Sequence, residues 1–208
     1  MVTPLRSLDA MDALATRSQD QRVFLHRVSW EQYEAIVAIR GERSIPRITY
    51  LRGELELMSP SIDHEGIKSA IGRLVEVFAD ELTLSLNAYG SWTVKSAPLE
   101  RGAEADECYV LGNHRPEVPD LAIEVAWTGG GLDKLEVWRG LGVGEVWLWQ
   151  DGRIGVYALD GDRYRGVAKS AVLPGLDLRK VEELCTRRDQ SAAVRAFRAG
   201  LKKPRRSR

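Results

Sequence analysis

Two acids and a lysine, Asp106, Glu124 and Lys134, have the types and spacing to meet at one edge of a sheet. Residues 119–125 read PDLAIEV, in which Leu121, Ile123 and Val125 alternate with Asp120, Ala122 and Glu124. A strand repeats every two residues, so both carboxylates of this segment point the same way. Its apolar character predicts burial on both faces, and a buried, unpaired carboxylate costs several kcal/mol. Glu124 therefore needs a cation or a hydrogen-bond donor. Asp106 lies in a second strand-like segment, 104–111, and if the two strands are neighbours their acids approach each other. A divalent cation would relieve that repulsion, and oxygen-only ligands suit Mg²⁺ or Mn²⁺ rather than zinc. Lys134 falls in the first turn of the next helix-like stretch, 132–141, from which its long stem can lean back toward Glu124. Two carboxylates, a metal and a lysine suffice for phosphodiester hydrolysis, because metal and ammonium offset the charge that grows on phosphorus.

These residues need a frame to hold them. The unit 119–150 reads as strand, glycine-rich turn, short helix and strand, which favours a parallel crossover. Ahead of it, Ser29 offers an N-cap to a short amphipathic helix carrying Trp30, Tyr33, Ile36 and Val37. Segments 48–51 and 54–58 flank Arg52-Gly53 as a hairpin, with Glu54 and Glu56 on one face of the second arm. Asp63 can cap a longer helix, in which Ile67, Ala70, Ile71, Leu74, Val75, Phe78 and Leu82 form an apolar stripe. Residues 91–96 predict a further strand, 153–159 and 163–168 a hairpin, and 176–185 and 192–201 weaker helices. The layout predicted is α/β, with helices on both sides of one sheet.

Composition sets outer limits. The chain has 208 residues, 44% hydrophobic and 29% charged, as expected of one ordinary globular domain. Nothing resembles a membrane span or a secretory leader. Cys108 and Cys185 form no CxxC pair and predict buried, reduced thiols in a cytoplasmic protein. Net charge is zero, yet residues 187–208 hold nine of 30 bases and one of 30 acids. The body is therefore acidic and the tail basic; such a tail can hold phosphates or simply be solvated. The expected division is a poorly ordered segment 1–20, a domain over 21–186, and a basic helix and tail over 187–208.

The pieces GELELMSPSIDHE (53–65), GSWTVKSAPLERGAEADECYV (90–110), PDLAIEV (119–125), LDKLEVWRGLGVGEVWLW (132–149) and LPGLDL (173–178) are, in this order, a familiar pattern. Over about 28–184 the chain resembles the Uma-two family of restriction-endonuclease-like proteins, within the PD-(D/E)XK nuclease superfamily. The resemblance implies a restriction-endonuclease-like core of helix, three strands, helix and strand, preceded by an N-terminal helix and hairpin. It places the superfamily's Asp and Glu, which hold the metal, at Asp106 and Glu124. The lysine usual two residues after the Glu is replaced by Ala126, and Lys134 fits the displaced position seen in relatives. Ala105 stands where a proline usually precedes the Asp, and the acid often found near 126 is missing. The resemblance implies a Mg²⁺- or Mn²⁺-dependent DNA endonuclease, and duplex cleavage by a domain with one site calls for two subunits, so a homodimer is expected. The alternative is a catalytically decayed relative that serves as an oligomeric or nucleic-acid-binding protein.

Four more residues are auxiliary candidates. Glu56 matches the family's early hairpin acid, and His64-Glu65 opens the long helix where such nucleases place a further acid. Asp120 shares a face with Glu124 but starts its strand, where capping or a loop contact competes with a metal role. Residues 64–68 are not HExxH, so zinc-protease chemistry is unsupported. The glycines at 140, 142 and 144 follow a helix and precede a strand, the reverse of a dinucleotide-binding turn, and read as helix termination. Six tryptophans on apolar elements predict core packing ahead of base stacking.

Overall fold

The computed structural model describes residues 18–127 and 131–202. Most of the N-terminal stretch expected to be poorly ordered, part of the glycine-rich turn, and the last residues of the basic tail lie outside that range.

The strands fall into two sheets rather than one. The first is antiparallel throughout and contains β1 (Gln21–Leu25), β2 (Arg47–Leu51), β3 (Glu54–Ser59), β5 (Thr93–Ser96) and β6 (Arg101–Glu104), in the order β1-β3-β2-β6-β5. The second contains β4 (Leu86–Ala88), β7 (Glu107–Leu111), β8 (Leu121–Ala126), β9 (Glu145–Gln150), β10 (Arg153–Asp160) and β11 (Arg163–Val167). Its order is β11-β10-β9-β8-β7-β4, and β8 and β9 are its parallel pair. The predicted strand 104–111 is thus two strands. The chain leaves one sheet after Glu104, turns through Ala105 and Asp106, and enters the other at Glu107. The segment EADECYVL has strand character on both sides of the break, so periodicity alone conceals it.

Helices pack where their apolar faces dictate. α1 (Trp30–Arg40) starts at Ser29 with a reciprocal capping box to Gln32. It seals the first sheet, where Tyr33 stacks on Tyr50 with centroids 4.9 Å apart above Ile48 and Leu55. α2 (Ile62–Glu81) is capped by Ser61, two residues earlier than the predicted Asp63. Its stripe of Ile67, Ile71, Leu74, Val75 and Phe78 joins Leu121, Ile123, Val125 and Trp147 in the main core. Each such fully buried side chain contributes about 1.5–3 kcal/mol. α4 (Leu178–Cys185) and α5 (Gln190–Leu201) cover the same face, with Phe197 and Ala193 buried in that core. The basic C-terminal helix is therefore built into the body.

α3 (Lys134–Leu141) begins two residues after the predicted start, with Asp133 as its N-cap, and ends at Gly142 in the left-handed region. It lies between the two sheets: Val137, Trp138 and Leu141 contact Val94 and Ala103 on one side and Cys108, Ala122 and Val146 on the other. Both cysteines are buried and unbridged, and burial raises their thiols to about 12 for Cys108 and about 11 for Cys185.

Gly102 on β6 is required by Tyr33. A Cβ there would overlap the Tyr33 hydroxyl, and Tyr33 is fully buried against Tyr50. Gly102→Ala should cost about 1–3 kcal/mol by overpacking, measured by urea unfolding. An unchanged midpoint would show that the α1 face is looser than described.

Candidate active site

β8 places Glu124 at the carboxyl end of the parallel pair, on the face turned toward α3. The residue is 3% exposed, and its Oε1 accepts a 2.7 Å hydrogen bond from the Trp138 indole Nε1. Its Oε2 lies 3.6 Å from Lys134 Nζ. Lys134 also donates to Thr49 Oγ1 on β2 at 2.7 Å, so its ammonium links the two sheets. The predicted pairing of Glu124 with the first-turn lysine of the next helix is therefore present.

Asp106 sits at the crossing between sheets. β7 and β8 pair with Glu107 opposite Ile123 and Cys108 opposite Ala122. Continuing that register by one residue sets Asp106 opposite Glu124. The ladder stops there, and Asp106 Oδ2 instead accepts the Val125 backbone N–H at 2.6 Å. The same oxygen lies 3.0 Å from His64 Nε2, and Oδ1 lies against Arg47 Nη1. His64 in turn has Nδ1 3.0 Å from Asp20 Oδ2, and Arg47 reaches Glu65 Oε1 at 2.5 Å. All of these except Glu65 are essentially buried.

Glu56 joins the site from β3. It is 2% exposed and accepts from Arg22 Nε at 3.0 Å and from the Leu132 backbone N–H at 2.6 Å. With Glu124, Lys134, Arg22, Ala126 and Gln150 it lines a cleft of about 230 Å³. Asp120 stands apart at the start of β8, where its carboxylate accepts the Leu111 N–H at 2.8 Å. Glu54 pairs with exposed His26 outside the cleft.

Not every buried acid belongs here. Glu104 is held by Thr93, Arg40 and the Ile48 N–H. Glu145 is held by Trp147, Ser170 and the Ala171 N–H. Each is fully satisfied inside the fold and lines no cleft described above, which marks a structural role. Glu124 and Glu56 differ because open space adjoins them.

Sequence reasoning missed Arg47, Arg22, Asp20, Thr49 and the Trp138 donor. Arg47 had a faint signal as a cation at the head of the apolar run RITYL; Arg22, Asp20 and Thr49 gave none, because their partners lie far away in the chain, and Trp138 read as a core residue.

The donor set of Asp106 and Glu124 is all oxygen, which suits a Mg²⁺ that keeps several of its waters. As placed, Asp106 is occupied by Arg47, His64 and a backbone N–H. Among the described residues no three His, Cys, Asp or Glu side chains are grouped to hold a metal ion.

The mixed α/β domain thus sets Glu124 and Lys134 together at the carboxyl end of its parallel strand pair. The family Uma2, described as "Putative restriction endonuclease", matches residues 30–186, and the chain belongs to it. Among solved structures it is similar to "a putative nuclease belonging to DUF820 from Anabaena variabilis ATCC 29413". That likeness has 13% identity and a TM-score of 0.49, covering 70% of this chain and 95% of the other. No curated protein matches the chain in sequence. Among the described residues no helix is long and apolar enough to cross a membrane.

Asp20 gives this site a pH dependence. Burial alone would raise its pKa, but hydrogen bonds from His64 and the Ser61 N–H, with the charges of His64 and Arg22, bring it down to about 2. An unfolded Asp titrates near ~3.9, so the stabilisation is complete above that value and lost as pH falls toward 2. Asp20→Asn should flatten the acid limb of stability between about pH 4 and 2, removing roughly 2 kcal/mol of its change. Denaturant midpoints across that range test this, and an unaltered slope would contradict the Asp20–His64 pairing.

Proposed function

We propose that the chain is a divalent-metal-dependent DNA endonuclease, with Asp106 and Glu124 as metal ligands and Lys134 as the catalytic cation. The observation that carries this reading is the meeting of Glu124 and Lys134 at an open cleft, with Asp106 brought by register to the neighbouring strand position. The family description supports a nuclease, and the oxygen donors support Mg²⁺ or Mn²⁺. When bound, the cation supplies charge neutralisation at phosphate and a lower pKa for water.

The protein's own groups do the rest. The Lys134 ammonium has three N–H donors, of which one goes to Thr49, and beside its 3.6 Å ion pair with Glu124 it has a donor available to a phosphate oxygen. Trp138 fixes one oxygen of Glu124, so the carboxylate need not reorganise during the reaction. Arg22, anchored by Glu56, adds positive potential to a cleft in an otherwise acidic body. Ala126 leaves room where the superfamily's usual lysine would stand, and Lys134 takes its role from the helix. Cleavage of both strands by a domain with one site calls for two subunits, so the active form is a homodimer. Buried unbridged thiols and a DNA substrate agree with a cytoplasmic location.

One observation favours a second reading. Arg47 already pairs with Asp106 and His64 lies 3.0 Å from it, the arrangement expected of a relative that has given up the metal and binds nucleic acid without cutting it. Nicking of supercoiled plasmid in Mg²⁺ or Mn²⁺ separates the two. The nuclease reading predicts nicking that falls about 10²–10³-fold in Lys134→Ala, the loss typical of removing a charge-stabilising donor. Wild-type protein that leaves plasmid intact with either ion would favour the second reading.

A further inference from the structure

Beyond its N-cap Asp189, α5 reads QSAAVRAFRAGL and carries arginines but no acid. Ala193 and Phe197, four residues apart, bury one side of the helix in the main core. The opposite side carries Ser191, Arg195, Arg198 and Lys202, all exposed, at successive spacings of four, three and four residues. Side chains so spaced form a single stripe, about 10 Å long from Arg195 to Lys202 at ~1.5 Å per residue. The sequence continues past Lys202 as KPRRSR, again without an acid.

α5 runs beside α2 in the same direction. Near its start the Gln190 side chain donates to the Gly66 carbonyl at 3.1 Å, and near its end Arg198 meets Glu81 at 3.0 Å. Arg73 of α2 extends the head of the stripe, donating to Gln190 Oε1 at 3.2 Å and Ser191 Oγ at 3.4 Å. Both acceptors are neutral. Arg73, Arg188 and Arg195 make no ion pair among the described residues. Of the nearby acids, Asp189 caps the Ala192 N–H at the head, while Asp80 and Glu81 lie at the far end, where Glu81 also meets Lys202 at 3.7 Å. Like charges three residues apart repel, so Arg195 and Arg198 cost α5 stability until an anion faces them.

The other exposed residues of α5, Ala196, Ala199 and Gly200, are small. Its large apolar residue, Phe197, faces the core, so the stripe has nothing to insert into lipid and no ring on which a base could stack. What it offers is a rigid row of cations, and about 10 Å spans roughly three phosphates of one DNA strand at ~3.4 Å of axis each. We propose that the α5 stripe, with Arg73 and Arg188 at its head, holds the phosphate backbone of a DNA duplex. The choice of DNA as the anion rests on the proposed nuclease function; the row of cations does not. The head of the stripe adjoins the first turns of α2, which hold His64 against Asp106, so a backbone seated here leads toward the Asp106–Glu124 site. Contacts of this kind set the position of the duplex and carry no sequence information.

Fluorescence anisotropy of a labelled blunt-ended duplex of mixed sequence, with the full chain in EDTA over a range of KCl concentrations, tests this. Wild-type protein should bind it. Arg188→Gln combined with Arg195→Gln should weaken binding about 10–100-fold at ~0.1 M salt and lower the salt slope by about two phosphate contacts. Glu81→Gln, which releases Arg198 and Lys202, should strengthen binding, a change that a folding defect does not produce. A duplex affinity that is absent in wild type, or equal in wild type and the double variant, would overturn the proposal. So would phosphatidylserine vesicles or polyglutamate bound as tightly as the duplex at the same salt. Plasmid nicking in Mg²⁺ or Mn²⁺ is read separately. Wild-type protein that binds duplex through Arg188 and Arg195 yet never nicks counts against the nuclease reading alone; protein that nicks while its duplex affinity ignores both arginines counts against the stripe alone.

Discussion

The hydrogen bond from the Val125 backbone N–H to Asp106 Oδ2 is the contact on which the site depends. β7 and β8 stop pairing at Glu107 and Ile123, and the next inward N–H of β8 would be buried without an acceptor. The Asp106 carboxylate replaces the missing ladder partner. In doing so it is fixed at the β6–β7 crossing, one of the points where the chain passes from one sheet to the other. A carboxylate in a regular strand would point away from the neighbouring backbone. The break between β6 and β7 is thus what makes an acid available there.

α3 completes the geometry from the other side. It is wedged between the sheets by Val137, Trp138 and Leu141, which fixes the direction of its first turn. Lys134 then spans from Thr49 on one sheet to Glu124 on the other, and Trp138, one turn on, holds the second oxygen of Glu124. Packing of apolar residues thus positions charged ones. Around Asp106 the balance is polar: Arg47 offsets its buried charge, His64 lies against it, and Asp20 orients His64.

Much of this was legible from sequence because its causes are local. The α2 stripe, the Ser29 N-cap, the Gly142 helix end and the β10–β11 hairpin follow from side-chain period and turn chemistry. Glu124 and Lys134 were found because one short crossover unit joins them. The division into two sheets was not, since residues 101–111 are strand-like throughout and only the pairing partners reveal the switch. β1 was missed because Val23, Phe24 and Leu25 are all substantially exposed and show no alternation. Arg47, His64 and Asp20 meet across gaps of 17 and 44 residues, and no pattern in one sequence encodes such pairings. The family resemblance supplied Glu56 as a candidate; its Arg22 and Leu132 partners emerged only in three dimensions.

Whether Asp106 and Glu124 act on one cation is best decided by calorimetric titration with Mn²⁺. One binding event per chain, abolished by Asp106→Asn and equally by Glu124→Gln, with the double variant no worse than either single one, is the predicted result. Wild-type protein that binds no Mn²⁺, or binds it just as well after either substitution, would contradict the shared site.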